Sequence, residues 1–381
     1  MKNINRLWRL LESELGTDFE GDPEIQKNVR ALSKSFTEGR SHLSAHYLSD
    51  RWARQAYLAY FVPLNFHKTL LLLRAHGVKL GLTWCDFGSG PATSTLAALA
   101  WLSESGQYNG EEIVITLVDL RAEALQLAER LVRNYASDLK IKVKVRGVKF
   151  LKEGRAEPPF DFSMASNVLN ELSSTEPLSS LWAQTRGSFF ILEPSHRVSS
   201  QKLIRFRWRL LTDDKSPVES AAEPVGLTDT PLPSKTTGRS IEVIGPCFHS
   251  EQCPLFRSKH WCHFSERVID PQMIILNESI FRDPRAWLKF SYLLVGRPGS
   301  ALEPPPKGIV RYRAIGDLHP SGPGRVAIDL CQPNEKLPLR LSSKTPRALT
   351  HKLVRGAEVC LKKEKIVRAT PLTPATINNE I

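Results

Sequence analysis

No apolar run in this sequence approaches the roughly 18 residues that a membrane-spanning helix requires. The longest candidate, residues 70–82, is interrupted by Arg74, His76 and Lys79, so no membrane insertion is expected. No secretory leader is expected: residues 1–16 alternate Leu and Trp with Arg and Glu at helical spacing, without an apolar core. The same segment is not acid-poor, which argues against a transit peptide. A cytoplasmic, bacterial protein is the expectation. On that expectation the six cysteines do not form a disulfide framework. No Cys-x-x-Cys pair occurs, so generic zinc-ribbon arguments do not apply, and no internal repeat is visible.

What is present reads as a globular chain. At 381 residues it is long enough for two domains or one domain with large additions. Hydrophobic residues at 41% and charged residues at 24% exclude wholesale disorder and a coiled coil. The net charge of +12 favours polyanionic partners. It is unevenly placed: residues 301–381 hold 14 Lys/Arg against 7 Asp/Glu. A second basic stretch runs through Arg197, Lys202, Arg205, Arg207 and Arg209.

Periodicity divides the chain into five parts. Residues 1–80 read as helices, with Ala53, Ala56, Tyr57, Ala59 and Tyr60 near helical spacing. Over 81–211, β-rich runs at 82–86, 113–118, 141–145, 160–165 and 188–192 alternate with helical patterns at 93–102, 122–135 and 171–184. That alternation predicts parallel βαβ units. Residues 212–240, rich in Pro, Ser, Thr and Asp, read as a flexible linker. A cysteine-rich, β-containing lobe is expected over 241–335, with short strands at 309–312 and 326–330. Residues 336–381 read as a basic tail whose last dozen residues fray.

Asp86, Phe87, Gly88, Ser89, Gly90, Pro91 and Ala92 follow the first predicted strand and precede a helix. Glycine there permits positive φ and leaves room for a ligand beside the strand end. A carboxylate leading the loop repels pyrophosphate but suits a ligand bearing an ammonium group. Asp119, ending the second strand, is placed to accept hydrogen bonds from ribose hydroxyls. The pattern resembles class I methyltransferases, whose first motif is an acidic residue followed by Gly-x-Gly-x-Gly. The resemblance implies S-adenosylmethionine as ligand, with Asp86, Gly88, Ser89, Gly90 and Asp119 as its binding residues. Ala92 stands at the third glycine. Asn167 and Asn170, in the segment 166–172, occupy the place where such enzymes keep residues facing the methyl group. By residue type alone they are equally a strand end and a helix cap.

Cys85 reads as a small core residue within the first strand, and Cys360 lies on a basic, helix-like stretch. Cys247, Cys253 and Cys262 fall within sixteen residues, and Cys331 follows a later strand. Clustered thiols among prolines and aromatics suit a soft metal or an iron–sulfur cluster. Zinc can use the same atoms, with His249, His260 or His263 replacing one sulfur.

Three segments together resemble one family, the methyltransferase-like assembly factors of the mitochondrial small ribosomal subunit and their bacterial relatives. They are residues 54–65, the glycine loop with 167–172, and the run Pro246-Cys-Phe-His, Cys253-Pro-Leu and Trp261-Cys-His-Phe264. The similarity spans most of 45–335. It implies a Rossmann-like class I methyltransferase fold and a [4Fe–4S] cluster on Cys247, Cys253, Cys262 and Cys331; a monomer is expected. The implied partner is small-subunit ribosomal RNA and the ribosome. The implied function is rRNA methylation or, alternatively, non-catalytic assembly of the subunit. Ala92 and the Glu193-Pro-Ser-His turn depart from the family pattern, and both weaken the case for an active enzyme.

Overall fold

A computed structural model describes residues 2–16, 21–38, 50–149, 159–212, 241–256, 258, 260–283, 287–300, 306–323, 325–333, 336–341, 345–362 and 365–372. The chain forms two compact units. One comprises Met1–Ser166 with Arg267–Leu288; the other comprises Asn167–Glu266 with Lys289–Ile381. Among the described residues no helix is long and apolar enough to cross a membrane.

In the first unit, α1 (Lys2–Leu15) buries Ile4, Leu7, Trp8 and Leu11, the single stripe of an amphipathic helix. After α2 (Pro23–Glu38), Asp50 caps α3 (Arg51–Ala56) by accepting the Ala53 N–H. A π-helical turn, Tyr57–Phe61, runs into α4 (Val62–His76), which Gly77 ends in the left-handed region at φ 56°. A parallel sheet follows, from β1 (Thr83–Phe87), β2 (Ile113–Asp119), β3 (Val143–Lys149) and β4 (Phe160–Ser166). Its order is β3-β2-β1-β4.

Two helices connect the first three strands. The first, α5 (Thr93–Glu104), is buried on nearly all sides through Leu96, Ala97, Ala98, Leu99, Ala100 and Leu102, which explains its almost unbroken apolar sequence. The second, α6 (Ala122–Leu139), is amphipathic. Because β1 lies between β2 and β4, the chain reverses its direction of travel across the sheet at β1. Such a switch point opens a crevice at the strands' carboxyl ends. The start of β1 is held by Asp161, whose Oδ2 accepts the Leu82 and Thr83 N–H groups at 2.8 and 2.9 Å. Gly81 (φ 61°) is required beside it, because a Cβ there would lie 2.4 Å from Asp161.

In the second unit, α7 (Glu176–Ala183) leads into β5 (Thr185–Glu193), and α8 (Arg197–Thr212) follows. Next in the chain are β6 (Glu242–Gly245), β7 (Phe264–Arg267) and β8 (Trp287–Gly296). β8 runs antiparallel between β5 and β6, and β7 pairs with it. A second sheet is built from β9 (Val310–Ala314), β10 (His319–Gly322), β11 (Arg325–Cys331), β12 (Lys336–Leu341), β13 (Glu358–Lys362) and β14 (Lys365–Thr370). Its core holds Ala314, Ile328, Leu330, Leu339, Leu353 and Val359. The first unit is completed by α9 (Pro271–Phe281). Asp270, just before α9, accepts from Trp8 Nε1 at 2.8 Å and lies 3.1 Å from His67 Nε2.

Several boundaries differ from the sequence-based expectation. Residues 336–341 and 345–372 are not a tail: alternating Leu337, Leu339 and Leu341, then Val359 and Leu361, place β12 and β13 on the second sheet's core. Cys360 therefore sits in a strand, not a helix. The segment 241–335 is not a self-contained lobe, since β6 and β8 join β5 in one sheet. The helix expected over 171–184 begins only at Glu176. The linker expected at 212–240 lies, from 213 onward, outside the described residues, as do the last residues of the chain from 373.

Candidate functional site

The glycine loop turns through three left-handed residues, Gly88 (φ 67°), Gly90 (φ 49°) and Ala92 (φ 60°). Alanine accepts that conformation at a cost of roughly 1–2 kcal/mol. Its methyl is fully buried in compensation. The loop is tied to the sheet by Ser89 N–H donating to Val118 O at 3.0 Å. Gly90 N–H donates to Asp119 Oδ2 at 3.0 Å. The other oxygen of Asp119 accepts from the Arg121 N–H and Nε at 3.0 and 3.2 Å. Asp86 is buried and accepts from Thr95 Oγ1 at 2.7 Å. Burial pushes its carboxyl up to about 7, against the Thr95 hydrogen bonds and with the Asp119 charge adding to the rise. Asp86, Gly88, Ser89, Gly90 and Asp119 are thus gathered at the carboxyl ends of β1 and β2.

Two hydroxyls here have no partner among the described residues: Ser89 Oγ and Thr93 Oγ1, both buried. Unpaired buried polar atoms are rare and point to an absent ligand or water. They flank the start of α5, whose first N–H groups also lack side-chain caps. Ser94 Oγ lies 2.6 Å from Ser166 Oγ at the end of β4. Nearby on α4, Thr69 Oγ1 is 3.5 Å from Ser94 Oγ. The neighbouring Lys68 is buried, donates to Asn65 Oδ1 at 3.0 Å, and is pushed down to about 8 by burial. Sequence reading missed Lys68, Thr93 and Ser94; the Thr-Ser-Thr run at residues 93–95, directly after the loop, was the signal available.

Asn167 and Asn170 belong to the second unit. Asn167 adopts φ 60°, a conformation asparagine tolerates better than other residues with a Cβ. Its N–H donates to Leu192 O at 2.7 Å. Asn170 Nδ2 donates to Glu193 Oε2, and Glu193 Oε1 accepts the Leu169 N–H at 2.8 Å. The buried Glu193, a departure from the expected glycine-rich turn, is therefore the clamp that holds residues 169–170.

Four thiols converge in the second unit. Cys247, Cys253, Cys262 and Cys331 line a single cavity with Leu203, Ile204, Leu255, Leu293 and Ile315. The loop carrying the first three is pinned by α8. Ser200 Oγ donates to Cys262 O at 2.9 Å, Gln201 Nε2 to His260 O at 3.0 Å, and Arg207 to Glu251 O and His249 O at 2.9 and 2.5 Å. On the opposite side Arg313 donates to Pro246 O and Gly356 O at 2.9 and 2.8 Å and stacks over Phe248 at 4.4 Å. Cys331 arrives on β11, directly opposite Arg313 in the β9 register.

The thiols act on one another. A hydrogen bond from Cys331, helped by Arg207, His249 and Arg313, holds Cys247 well below the usual thiol range despite its burial. Burial, chiefly, pushes Cys253 up to about 12 and raises Cys262. Cys331 is raised by its bond to Cys247 first and burial second. Of the three alternative histidines only His249 reaches this group, its Nε2 3.3 Å from Cys331 Sγ. His260 and His263 instead line a separate cleft of about 410 Å³ with Trp261, Asp317, His319 and Arg355. Cys85 is fully buried in β1 and Cys360 is buried in β13. The basic stretch 197–209 is not a uniformly solvated face: Arg207 is buried and Arg209 pairs with Glu176 at 2.6 Å.

Comparison with known proteins gives one family match. Residues 80–359 fit the family described as mitochondrial small ribosomal subunit Rsm22. A search of curated proteins returns no match. Solved structures that resemble the chain include a SAM-dependent methyltransferase from Aquifex aeolicus, 20% identical over 34% of this chain and 72% of that one, at TM-score 0.25. A Pyrococcus horikoshii protein, provisionally described as an RNA methyltransferase, is 12% identical over 71% of this chain and 97% of that one, at TM-score 0.34. A precorrin-6y C5,15-methyltransferase from Geobacter metallireducens is 12% identical over 61% and 85%, at TM-score 0.31.

Proposed function

Because the chain belongs to the Rsm22 family of the mitochondrial small ribosomal subunit, we propose that it is a methyltransferase-fold protein that binds S-adenosylmethionine and works on small-subunit ribosomal RNA. The observation that carries the cofactor reading is the pair of orphaned hydroxyls, Ser89 and Thr93, beside a loop that a carboxylate-bearing ligand can approach. The methionyl carboxylate would accept from them and from the first N–H groups of α5. Asp119 retains lone pairs for ribose hydroxyls, and Asp86 supplies negative charge near the ligand's ammonium. S-adenosylmethionine itself supplies an electrophilic methyl group. What the protein adds is orientation and exclusion of water. Titration calorimetry tests this directly. Millimolar affinity or better is expected, falling about tenfold or more in Asp119→Ala from loss of a charge-assisted acceptor; an unchanged affinity would mean the ligand sits elsewhere.

The four thiols fit a [4Fe–4S] cluster, since four sulfurs wall one largely apolar cavity and the cluster takes four thiolates. Zinc on the same sulfurs is the alternative, distinguished by inorganic sulfide analysis. The cluster would supply structural closure of the 246–262 loop. Whether the RNA is methylated or only bound divides two readings. The clamp of Glu193 on Asn170 favours non-catalytic binding, because that amide is already engaged; methyl transfer assigns Asn167 and Asn170 to the acceptor side. RNA crosslinking in cells with a methylation readout in the same sample separates them. Action in the bacterial cytoplasm, as a monomer, completes the proposal.

A further inference from the structure

Arg207 and Arg313 are among the most buried charged side chains of the second unit, at 3% and 4% exposure. Neither has a carboxylate partner among the described residues. Their guanidinium groups donate only to main-chain carbonyls, Glu251 and His249 for Arg207, Pro246 and Gly356 for Arg313. Arg207 Nε has no hydrogen-bond partner among the described residues. A buried cation without a counter-charge is strongly unfavourable. Arg207 lines the thiol cavity, and Arg313, opposite Cys331 in the strand register and bonded to Pro246 O, lies beside it; two such cations at one thiol cluster call for an anion of matching charge.

We infer that Arg207 and Arg313 are the fixed counter-charges of a dianionic, all-thiolate metal centre, and that His249 borders this centre without ligating it. The inference rests on the cluster reading above. Four thiolates on a [4Fe–4S]²⁺ core carry a net charge of −2, which the two guanidinium groups balance. Replacing one thiolate by neutral histidine gives −1 and leaves a cation uncompensated. All four sulfurs line the cavity and His249 does not; His249 nonetheless lies within 4.8 Å of the Cys247 and Cys331 sulfurs, so it is the charge count that sets it aside as a ligand. Its Nε2 lies 3.3 Å from Cys331 Sγ, and its Nδ1 has no partner among the described residues. One-electron reduction takes the centre to −3. Fixed positive charge favours that state, because cluster potentials follow net charge and hydrogen bonding. Arg207 and Arg313 are thus positioning residues that hold the reduction potential up.

The test uses full-length protein purified anaerobically, with iron and sulfide analysis and a redox titration followed by electron paramagnetic resonance. Arg207→Gln and Arg313→Gln should each lower the reduced-to-oxidised ratio at fixed poise about tenfold, equivalent to about 59 mV for one electron. Arg207→Lys and Arg313→Lys, which keep charge but lose the forked carbonyl bonds, should stay near the parent. Parental midpoints in both Gln variants at full iron content overturn the inference, and so does loss of cluster in folded Lys variants. If the Gln variants are insoluble, the ligand arm decides. His249→Gln should retain four irons per chain and Cys331→Ala should not; the reverse result refutes an all-thiolate centre. Parent protein without iron and sulfide defeats the cluster reading itself. In that case, stoichiometric zinc retained in His249→Gln and lost in Cys331→Ala preserves the charge argument, and the opposite pattern ends it.

Discussion

Asp86 gives the sharpest handle on the first unit. Its carboxyl is fully buried beneath α5 and is pushed from an ordinary 3.8 to about 7, chiefly by burial. Its folded value lies above its unfolded one. The associated stability is therefore complete below about pH 4 and is lost as pH rises through 7. At about 1.4 kcal/mol per pH unit, the loss between those limits is on the order of 4 kcal/mol, an upper bound because a buried site relaxes around its charge. Asp86→Asn keeps an oxygen to accept from Thr95 Oγ1 and removes the titration. Urea unfolding of parent and variant from pH 5 to pH 8 should show the variant gaining stability relative to the parent across the range. Other titrating groups, including Lys68 with its opposite shift to about 8, act equally in both proteins and cancel in the difference. Parallel pH profiles would refute a buried, proton-holding Asp86. A bound cation reverses the balance, so affinity for S-adenosylmethionine should rise as pH passes 7; in Asp86→Asn it should be flat.

Three further outcomes follow from the same geometry. Replacing Cys247, Cys253, Cys262 or Cys331 by Ser should lower iron and sulfide content and solubility, whereas Cys85→Ser and Cys360→Ser should leave both at parental levels. Asn170→Ala removes a donor from the buried Glu193 and should lower stability by about 1–3 kcal/mol, read as a drop in Tm. RNA affinity should fall steeply with salt, and neutralising the exposed Arg325, Arg347 and Lys352 should reduce the slope of log affinity against log salt by roughly one for each phosphate left without its cation.

How much of this was legible in the sequence depends on how local each determinant is. The glycine loop was readable because strand, turn and helix follow one another directly from Thr83 to Glu104 and the turn's demand for positive φ falls on alternate positions, 88, 90 and 92. Three of the four thiols were readable for the same reason. Cys331 was harder. Its place beside Cys247 depends on the register of β11 against β9, which sequence spacing does not express. The strands β12 and β13 were hidden because charged residues, Lys336 and Arg340 in β12 and Glu358 and Lys362 in β13, alternate with their core-facing Leu and Val, so that charge masked the apolar alternation on the inner face.

Charged residues inside the fold were misread most, and for one physical reason. A Lys/Arg-rich helix ordinarily presents a solvated face, so Arg207 was grouped with the RNA-facing stretch. In α8, however, Leu203, Ile204 and Arg207 lie on one stripe, and the guanidinium follows the apolar side chains inward. Glu193 shows the same inversion. Against a glycine-rich expectation it looked like a defect, yet its carboxylate ties the Leu169 and Asn170 donors to the end of β5. In both cases the charge is retained because a specific set of main-chain or thiol groups surrounds it, and its value is set by partners more than forty or twenty residues away in the chain. A charged residue placed on an apolar stripe, or substituted for glycine beside a ligand loop, therefore marks a site where an unseen counter-charge or donor must be found.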